Sequence, residues 1–317
     1  MDVMRIGVTG ASGYIGNALV KELLKENYAV KCLFRKTSII DESIKDKVEL
    51  CFGDITNADS LKGFLESCDL LIHAAAIRGE KKLPYSAYQN VNVRGTLNLL
   101  ELSRHLRKII FISTVGVTGS GLDIDETTPY NGTSKYHRSK IAAEEICAGF
   151  QNVTVVRPAI VYGDADTDGM IAKLCQVIKR KRFLMVGNGL NRLQMVNIRN
   201  LVKGIKLIIQ KGALKQKYIL ADECALTFKE ITEIIAQNLN VNIPFFMVPK
   251  HIVFMLGAIA ENSYSLLGIK REPLISYSKV KIVTNNQTFN ISKIKAIGYH
   301  AEVDPCLALA DFARNFL

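Results

Sequence analysis

Glycines 10, 13 and 16 constrain this chain more than any other feature. They lie in Thr9-Gly10-Ala11-Ser12-Gly13-Tyr14-Ile15-Gly16, between an apolar run at 5–9 and a segment whose Ile15, Leu19 and Leu23 recur at helical spacing. A strand feeding a helix through glycines so spaced has one economical explanation. Gly10 makes a tight turn, Gly13 lets backbone approach a ligand, and Gly16 lets helix and strand pack closely. The helix N-terminus then offers amide N–H groups and partial positive charge to the diphosphate of a dinucleotide. Ser12, Tyr14 and Ile15 sit in the same turn and are expected to share that task. A purely structural turn does not need three glycines.

The alternation continues. Strand-like runs at 28–34, 48–52, 70–73, 108–112 and 153–156 bring the strand candidates to six. Helices are expected at 14–26, 58–66, 85–105 and 134–150. Strands and helices alternating in this way imply an α/β fold, a parallel sheet covered on both faces. The second half is less regular: Pro244, Pro249, Pro273 and Pro305 interrupt it, and residues 274–283 alternate weakly, as a strand would. We therefore expect a dinucleotide-binding domain over 1–165 and a smaller, discontinuous substrate lobe over 166–317. Segments at about 190–205 and 225–245 would return to the first domain.

Composition serves mainly to exclude. Of 317 residues, 48% are hydrophobic and 22% charged, which rules out a disordered or disulfide-built chain. The net charge of +11 is spread out, and its densest cluster, Lys179-Arg180-Lys181-Arg182, reads as a solvated helix face. With no Trp and few aromatics to stack bases, no nucleic-acid partner is expected. Seven cysteines, odd in number and without a CxxC pair, point to reduced thiols, and the histidines form no metal-ligand pattern. No apolar leader follows Met1, and the longest apolar run, 252–260, falls short of the roughly 20 residues a span needs. A cytoplasmic protein without membrane span or metal is expected.

Further motifs follow the glycines in order: Gly53-Asp54-Ile55, His73-Ala74-Ala75-Ala76, Asn92-Val93-Arg94-Gly95-Thr96, and Arg157-Pro158 with Val161-Tyr162-Gly163. Phe289-Asn290-Ile291-Ser292-Lys293 and Ile297-Gly298-Tyr299 complete the series. Together they resemble the extended short-chain dehydrogenase/reductase superfamily (the NAD-dependent epimerase/dehydratase family) along nearly the whole chain. The resemblance implies a Rossmann doubly wound sheet with a smaller substrate lobe. It implies Asp54 and Ile55 beside the adenine, and Ala74, Ala75 and Ala76 along the nicotinamide-ribose side. Asn92, Pro158 and Val161 fall in its cofactor-binding segments. It also implies a homodimer paired through the helices near 85–105 and 134–150, with Leu97, Leu100, Ile141 and Ile146 supplying apolar surface.

Tyr136 and Lys140 form YxxxK on an expected helix, so both side chains share one face. The Lys140 ammonium, and the charge of an oxidised nicotinamide, would favour phenolate and prepare Tyr136 for acid/base work. The resemblance adds a Lys140 hydrogen bond to the ribose. Tyr277 and Lys281 repeat the spacing, but in strand-like sequence with no strand of the sheet before it, and read as structural. In Ile112-Ser113-Thr114-Val115-Gly116, the resemblance gives Thr114 the hydroxyl that polarises the substrate oxygen and puts Ser113 on the cofactor side. Either hydroxyl could instead cap the strand end.

Departures from the family narrow the chemistry. Dehydratases of this superfamily carry Asp-Glu after that Thr, whereas this chain has Val115-Gly116, which disfavours water elimination. Asn200 stands where the family has a helix-capping Asp, and Thr118 where it has a Tyr; Arg192 matches the epimerases' Arg only out of register. The stretch 273–299 most resembles the branch of 3β-hydroxysteroid dehydrogenases and dihydroflavonol-type reductases. The expected function is an NAD(P)-dependent oxidoreductase interconverting a secondary alcohol and a ketone on a small or cyclic substrate. The alternatives are a nucleotide-sugar epimerase with retained NAD and a non-catalytic dinucleotide sensor. The strand at 28–34 ends in Arg35-Lys36, with no acid before Asp41 to hold a ribose 2′-hydroxyl. NADP(H) is therefore expected over NAD(H), with Arg35 and Lys36 meeting the 2′-phosphate.

Overall fold

A computed structural model describes residues 3–79, 83–243, 247–266 and 277–316. Its centre is a parallel sheet of β1 (Arg5–Thr9), β2 (Ala29–Phe34), β3 (Glu49–Phe52), β4 (Leu70–His73), β5 (Lys108–Ile112), β6 (Val153–Pro158) and β7 (Lys217–Leu220). The spatial order is β7-β6-β5-β4-β1-β2-β3. From β1 the chain winds outward to β3, then crosses back to β4 and winds the other way. Between β1 and β4, whose last residues Thr9 and His73 pair in register, the connections diverge. The crevice at the carboxyl ends of such a pair is where doubly wound sheets bind ligands.

Both faces are covered. On one, α1 (Tyr14–Lys25) and α5 (Ile198–Lys211) bury Leu19, Leu23, Ile205 and Ile208 against Ile6, Val8 and Ile110. On the other, α2 (Gly95–Leu102) and α3 (Lys135–Cys147) bury Leu99, Leu100, Ala143 and Cys147 against Leu71, Ile109 and Val155. A third core joins α4 (Met170–Lys179), α6 (Phe228–Asn238) and α7 (Pro305–Arg314) through Ile171, Cys175, Phe228, Ile231 and Leu309. Thus α5 packs on the sheet, whereas α6 packs in the third core. All seven cysteines are free. Among the described residues no helix is long and apolar enough to cross a membrane, and no cluster of His, Cys, Asp and Glu could hold a metal.

Several expectations are corrected. The sheet gains a seventh strand, β7, a four-residue run too short and too flanked by lysines to stand out. The helix expected over 85–105 is three pieces: Tyr85–Tyr88, a π-helical turn at Gln89–Arg94, and α2, which stops at Leu102. Tyr277–Thr284 is a helix rather than a strand, its Val280 and Thr284 both buried one turn apart; 274–276 lie outside the described residues. Asn197, not Asn200, caps α5, accepting from Arg199 N. Leu100, expected at a subunit interface, is wholly buried in the sheet's own core, whereas Leu97 is exposed.

Candidate active site

The glycine turn has the conformation its residues require. Gly10 sits at φ +76°, and a Cβ there would lie 2.7 Å from the backbone of Ala74 and Ala75. At Gly16 a Cβ would lie 2.1 Å from the Gly10 carbonyl oxygen, so helix and turn could not close. Gly13 caps α1 without a side chain, and the first turn carries no acid, so backbone and positive helix end are what a ligand would meet. Ser12 and Gly13 are exposed, Tyr14 and Ile15 partly so. Tyr14 Oη and Asp166 Oδ2 are buried without a hydrogen-bond partner among the described residues. Burial, and then the Asp166 charge, push the Tyr14 phenol far up, so the two share one neighbourhood. Bare backbone N–H groups at a positive helix end, with no side chain at Gly13 and no acid in the first turn, fit the diphosphate of a dinucleotide.

A buried relay runs sideways from β1. The Thr96 hydroxyl donates to Asn92 O (2.7 Å), so at the His73 Nε2 contact (3.0 Å) the ring must donate. Nδ1 then accepts from the Thr9 hydroxyl at 2.7 Å. Burial, helped by the Lys140 charge, lowers His73 to about 3, so it is a neutral strut. Asn92, on the π-helical turn, takes Ile77 N on its Oδ1 and gives its amide to Ile77 O and Ser139 Oγ. It thereby pins the loop carrying Ala74, Ala75 and Ala76 to α3. Asn92's side-chain amide is thus engaged by the protein itself.

Ser134 caps α3, accepting from His137 N, and the helix brings Tyr136 and Lys140 toward the end of β5. Lys140 is buried; its Nζ donates to Ile112 O at 2.6 Å and lies 4.1 Å above the Phe111 ring. Burial brings its pKa down to about 8. The Tyr136 phenol is pushed up to about 12 by burial, with the Arg78 charge pulling it back. Thr114 is half-buried; its Oγ1 accepts from Gly116 N at 3.2 Å, and its own proton has no acceptor among the described residues.

Ser113 behaves differently. Its hydroxyl donates to Glu144 Oε1 at 2.5 Å, and Glu144 forms a fully buried ion pair with Arg157 at 2.7 Å. Burial alone would raise the Glu144 carboxyl, but hydrogen bonds from Arg157 and Ser113 outweigh it and hold it below the usual range. Sequence reasoning passed over Glu144, and quoted Arg157 only as part of a motif without its partner. The signals were present: Glu144 lies one turn beyond Lys140, and Arg157 interrupts an apolar strand.

The remaining positions are more open. Arg35 and Lys36 are exposed at the end of β2. Asp41 is engaged by Lys21 and Ser43, which hold its carboxyl well below the usual range. Asp54 is exposed and folds back onto Thr56, while Ile55 is buried beneath Gly95. Pro158 is buried at the end of β6, and Val161, partly buried, pairs with Val196. Tyr162, Asn197 and Asn200 converge on Asp222, which the sequence did not single out, and Tyr299 bonds the adjacent Ala221 O. Those motif residues fasten three distant segments to the chain just beyond β7.

A doubly wound sheet with a glycine turn at its divergence point, and a helix beside it carrying Tyr136 and the buried Lys140, defines a dinucleotide-dependent class of protein. The chain belongs to the NAD-dependent epimerase/dehydratase family, which it matches over residues 6–221. Its similarity extends to an N-acetyl-alpha-D-glucosaminyl-diphospho-ditrans,octacis-undecaprenol 4-epimerase of Escherichia coli O157:H7, 27% identical over 92% of this chain and 89% of that one. A decarboxylating sterol-4-alpha-carboxylate 3-dehydrogenase of Candida albicans is 26% identical over 94% and 93%. The crystal structure of a Thermotoga maritima UDP-glucose 4-epimerase with UDP-glucose superposes with TM-score 0.76 at 19% identity, covering 99% of this chain and 98% of that one; this likeness is one of fold.

Proposed function

We propose that the protein is an NAD(P)-dependent oxidoreductase that interconverts a secondary alcohol and a ketone on a small or cyclic organic substrate. One observation carries this reading: Tyr136 and Lys140 lie one turn apart on a capped helix whose lysine is tied to Ile112, two residues before Thr114. A bound nicotinamide would supply or accept the hydride. Tyr136, held protonated by burial, gives its proton to the carbonyl oxygen in reduction and takes it back in oxidation. Thr114 offers a second donor to that oxygen. Lys140 steadies the phenolate and reaches the ribose. Dehydration is disfavoured by sequence, and at Gly116 a side chain would also displace the His137 ring, whose Nε2 lies 2.2 Å from where a Cβ would stand.

Residues 1–165, with α5 and β7, serve as the dinucleotide-binding part, and most of 166–317 as the substrate lobe. Gly10, Gly13, Gly16, Asp54, Ile55 and the 74–76 loop hold the cofactor, and Arg35 with Lys36 favours NADP(H) over NAD(H). A cytoplasmic homodimer is the expected form, with exposed Leu97 and partly buried Ile141 and Ile146 at its interface. The similarity to the Escherichia coli epimerase favours a second reading, a sugar epimerase that retains NAD. Absorbance in the reduced-nicotinamide band decides between them. A reductase consumes added cofactor with some member of a ketone panel; an epimerase keeps its cofactor through gel filtration and consumes none. A protein doing neither would end both readings.

A further inference from the structure

Near the second lobe, the helix Lys250–Leu266 turns an apolar stripe to solvent. Ile252, Met255 and Ile259 follow one another at i, i+3 and i+7, so they share a face about 10 Å long. They are 37%, 57% and 54% exposed, while Val253 is buried. Helices of globular proteins normally turn such a stripe inward. Here it is the outward one.

The stripe does not stand alone. The strand Met247–Val248 precedes the helix and pairs in parallel with Met185–Val186, and Gly187 N donates to Val248 O. Met247 and Leu184, on these neighbouring segments, are 59% and 52% exposed. Two residues before Leu184 the basic run 179–182 ends, at most about 10 Å of chain from the paired strand. All four of its side chains are exposed, and none has a carboxylate in ion-pair range among the described residues. The chain carries no Asp or Glu between Asp168 and Asp222, nor between residues 247 and 260. The paired strands thus link an exposed apolar lip to a positive run that has no carboxylate partner among the described residues, although Lys179 Nζ donates to Phe316 O.

We propose that this lip and the positive run dock the protein on an anionic lipid surface, with the Ile252–Met255–Ile259 stripe among the acyl-chain ends and the 179–182 run against the headgroups. The charge selects this occupant. A second copy of the chain would bring the same positive run against itself, whereas anionic headgroups complement it. The apolar stripe needs a partner that accepts hydrocarbon without a shaped pocket, which the bilayer interface supplies. The protein would lie on the membrane rather than in it.

Flotation of the full chain with vesicles tests this. Expected is recovery with equimolar phosphatidylglycerol and phosphatidylcholine, little with phosphatidylcholine alone, and loss at high salt as headgroup attraction is screened. Arg180→Glu with Arg182→Glu should weaken partition by roughly tenfold or more. Met255→Ser with Ile259→Ser should weaken it as well, but leave its salt dependence in place. All four positions are exposed, so circular dichroism and the melting temperature should stay those of the parent. Equal recovery on both vesicles, no recovery on either, or undiminished binding by both double variants would overturn the proposal. So would a dimer that Met255→Ser dissociates in the absence of lipid, because the stripe would then belong to a second copy.

Discussion

The carboxyl edge of the sheet and the core of the second lobe are both well buried, yet they are filled with different chemistry. Around β4, β5 and α3 the interior holds His73, Asn92, Lys140, Glu144 and Arg157, each hydrogen-bonded to protein. Between α4, α6 and α7 the filling is aliphatic and aromatic, and the buried Thr232 merely returns its hydroxyl to Lys229 O on its own helix. Burying a polar group costs stability unless it is paired, so a protein concentrates such groups where something besides packing is needed. The core between α4, α6 and α7 needs only shape. For the proposed reaction, the sheet edge needs a tyrosine held protonated, a lysine held dry, and a loop held against a glycine turn.

The largest expected effect falls on that edge. Tyr136→Phe removes one hydroxyl with little change of shape, and should lower turnover about 10²–10⁴-fold while leaving cofactor affinity and melting temperature nearly unchanged. Tyr277→Phe, on the second YxxxK, should leave turnover near the parent's. Steady-state rates of the two variants make the comparison; a large loss in the second and none in the first would reverse the assignment.

Next is the foundation beneath it. Glu144→Gln strands the Arg157 guanidinium in a buried site and should cost about 3–5 kcal/mol of stability, read by urea denaturation. Leu309→Ala in the lobe should cost a similar amount, about 2–5 kcal/mol, through a cavity. The two should part in function: only Glu144→Gln loosens the Ser113 end of β5, and so only it should also reduce turnover per folded molecule. Equal turnover in both folded variants would show that the buried pair is mere filling.

Lys140 offers a smaller, pH-dependent contrast. Its folded pKa of about 8 lies below the ordinary 10.5, so between those values the unfolded chain binds more protons and stability rises with pH. Below pH 8 both states are charged and the burial cost is fully present. The stability of the parent minus that of Lys140→Met should therefore climb by about 3 kcal/mol across this window, then level off. Other titrating groups cancel in the difference. A flat difference would mean that Lys140 is not held in a poorly solvated place.

The same contrast explains what was legible beforehand. Spaced glycines, alternating strands and the Tyr136–Lys140 spacing each depend on a few neighbouring residues, so they show in the sequence. The pairing of Glu144 with Arg157, the meeting of Tyr162, Asn197 and Asn200 on Asp222, and the joining of β7 to β6 depend on residues far apart. The helix at Tyr277–Thr284 reads as a strand because Tyr, Val and Ile favour strands locally, while burial of Val280 and Thr284 on one face decides in context. In the lobe, apolar residues announce packing and nothing about a substrate.

The smallest effect concerns cofactor choice at the outer end of β2, where neither a buried network nor a packed core constrains the side chains. Arg35 is exposed there, and Asp41, the nearest following acid, is already held by Lys21 and Ser43. Among the described residues no carboxylate at the end of β2 is therefore poised to accept from a ribose 2′-hydroxyl, while a guanidinium is exposed there to fork onto a 2′-phosphate. A hydrogen bond to a charged group is worth roughly 1.5–3 kcal/mol, so NADP(H) should bind about ten- to a hundredfold more tightly than NAD(H). Arg35→Asp should abolish or reverse that preference, because the new carboxylate repels the phosphate and accepts from the hydroxyl. Because the position is exposed, the melting temperature should barely move, in contrast to Glu144→Gln. Dissociation constants for both cofactors, measured on both proteins, decide the matter: equal affinities in the parent, or a preference that Arg35→Asp leaves in place, would remove Arg35 from cofactor recognition.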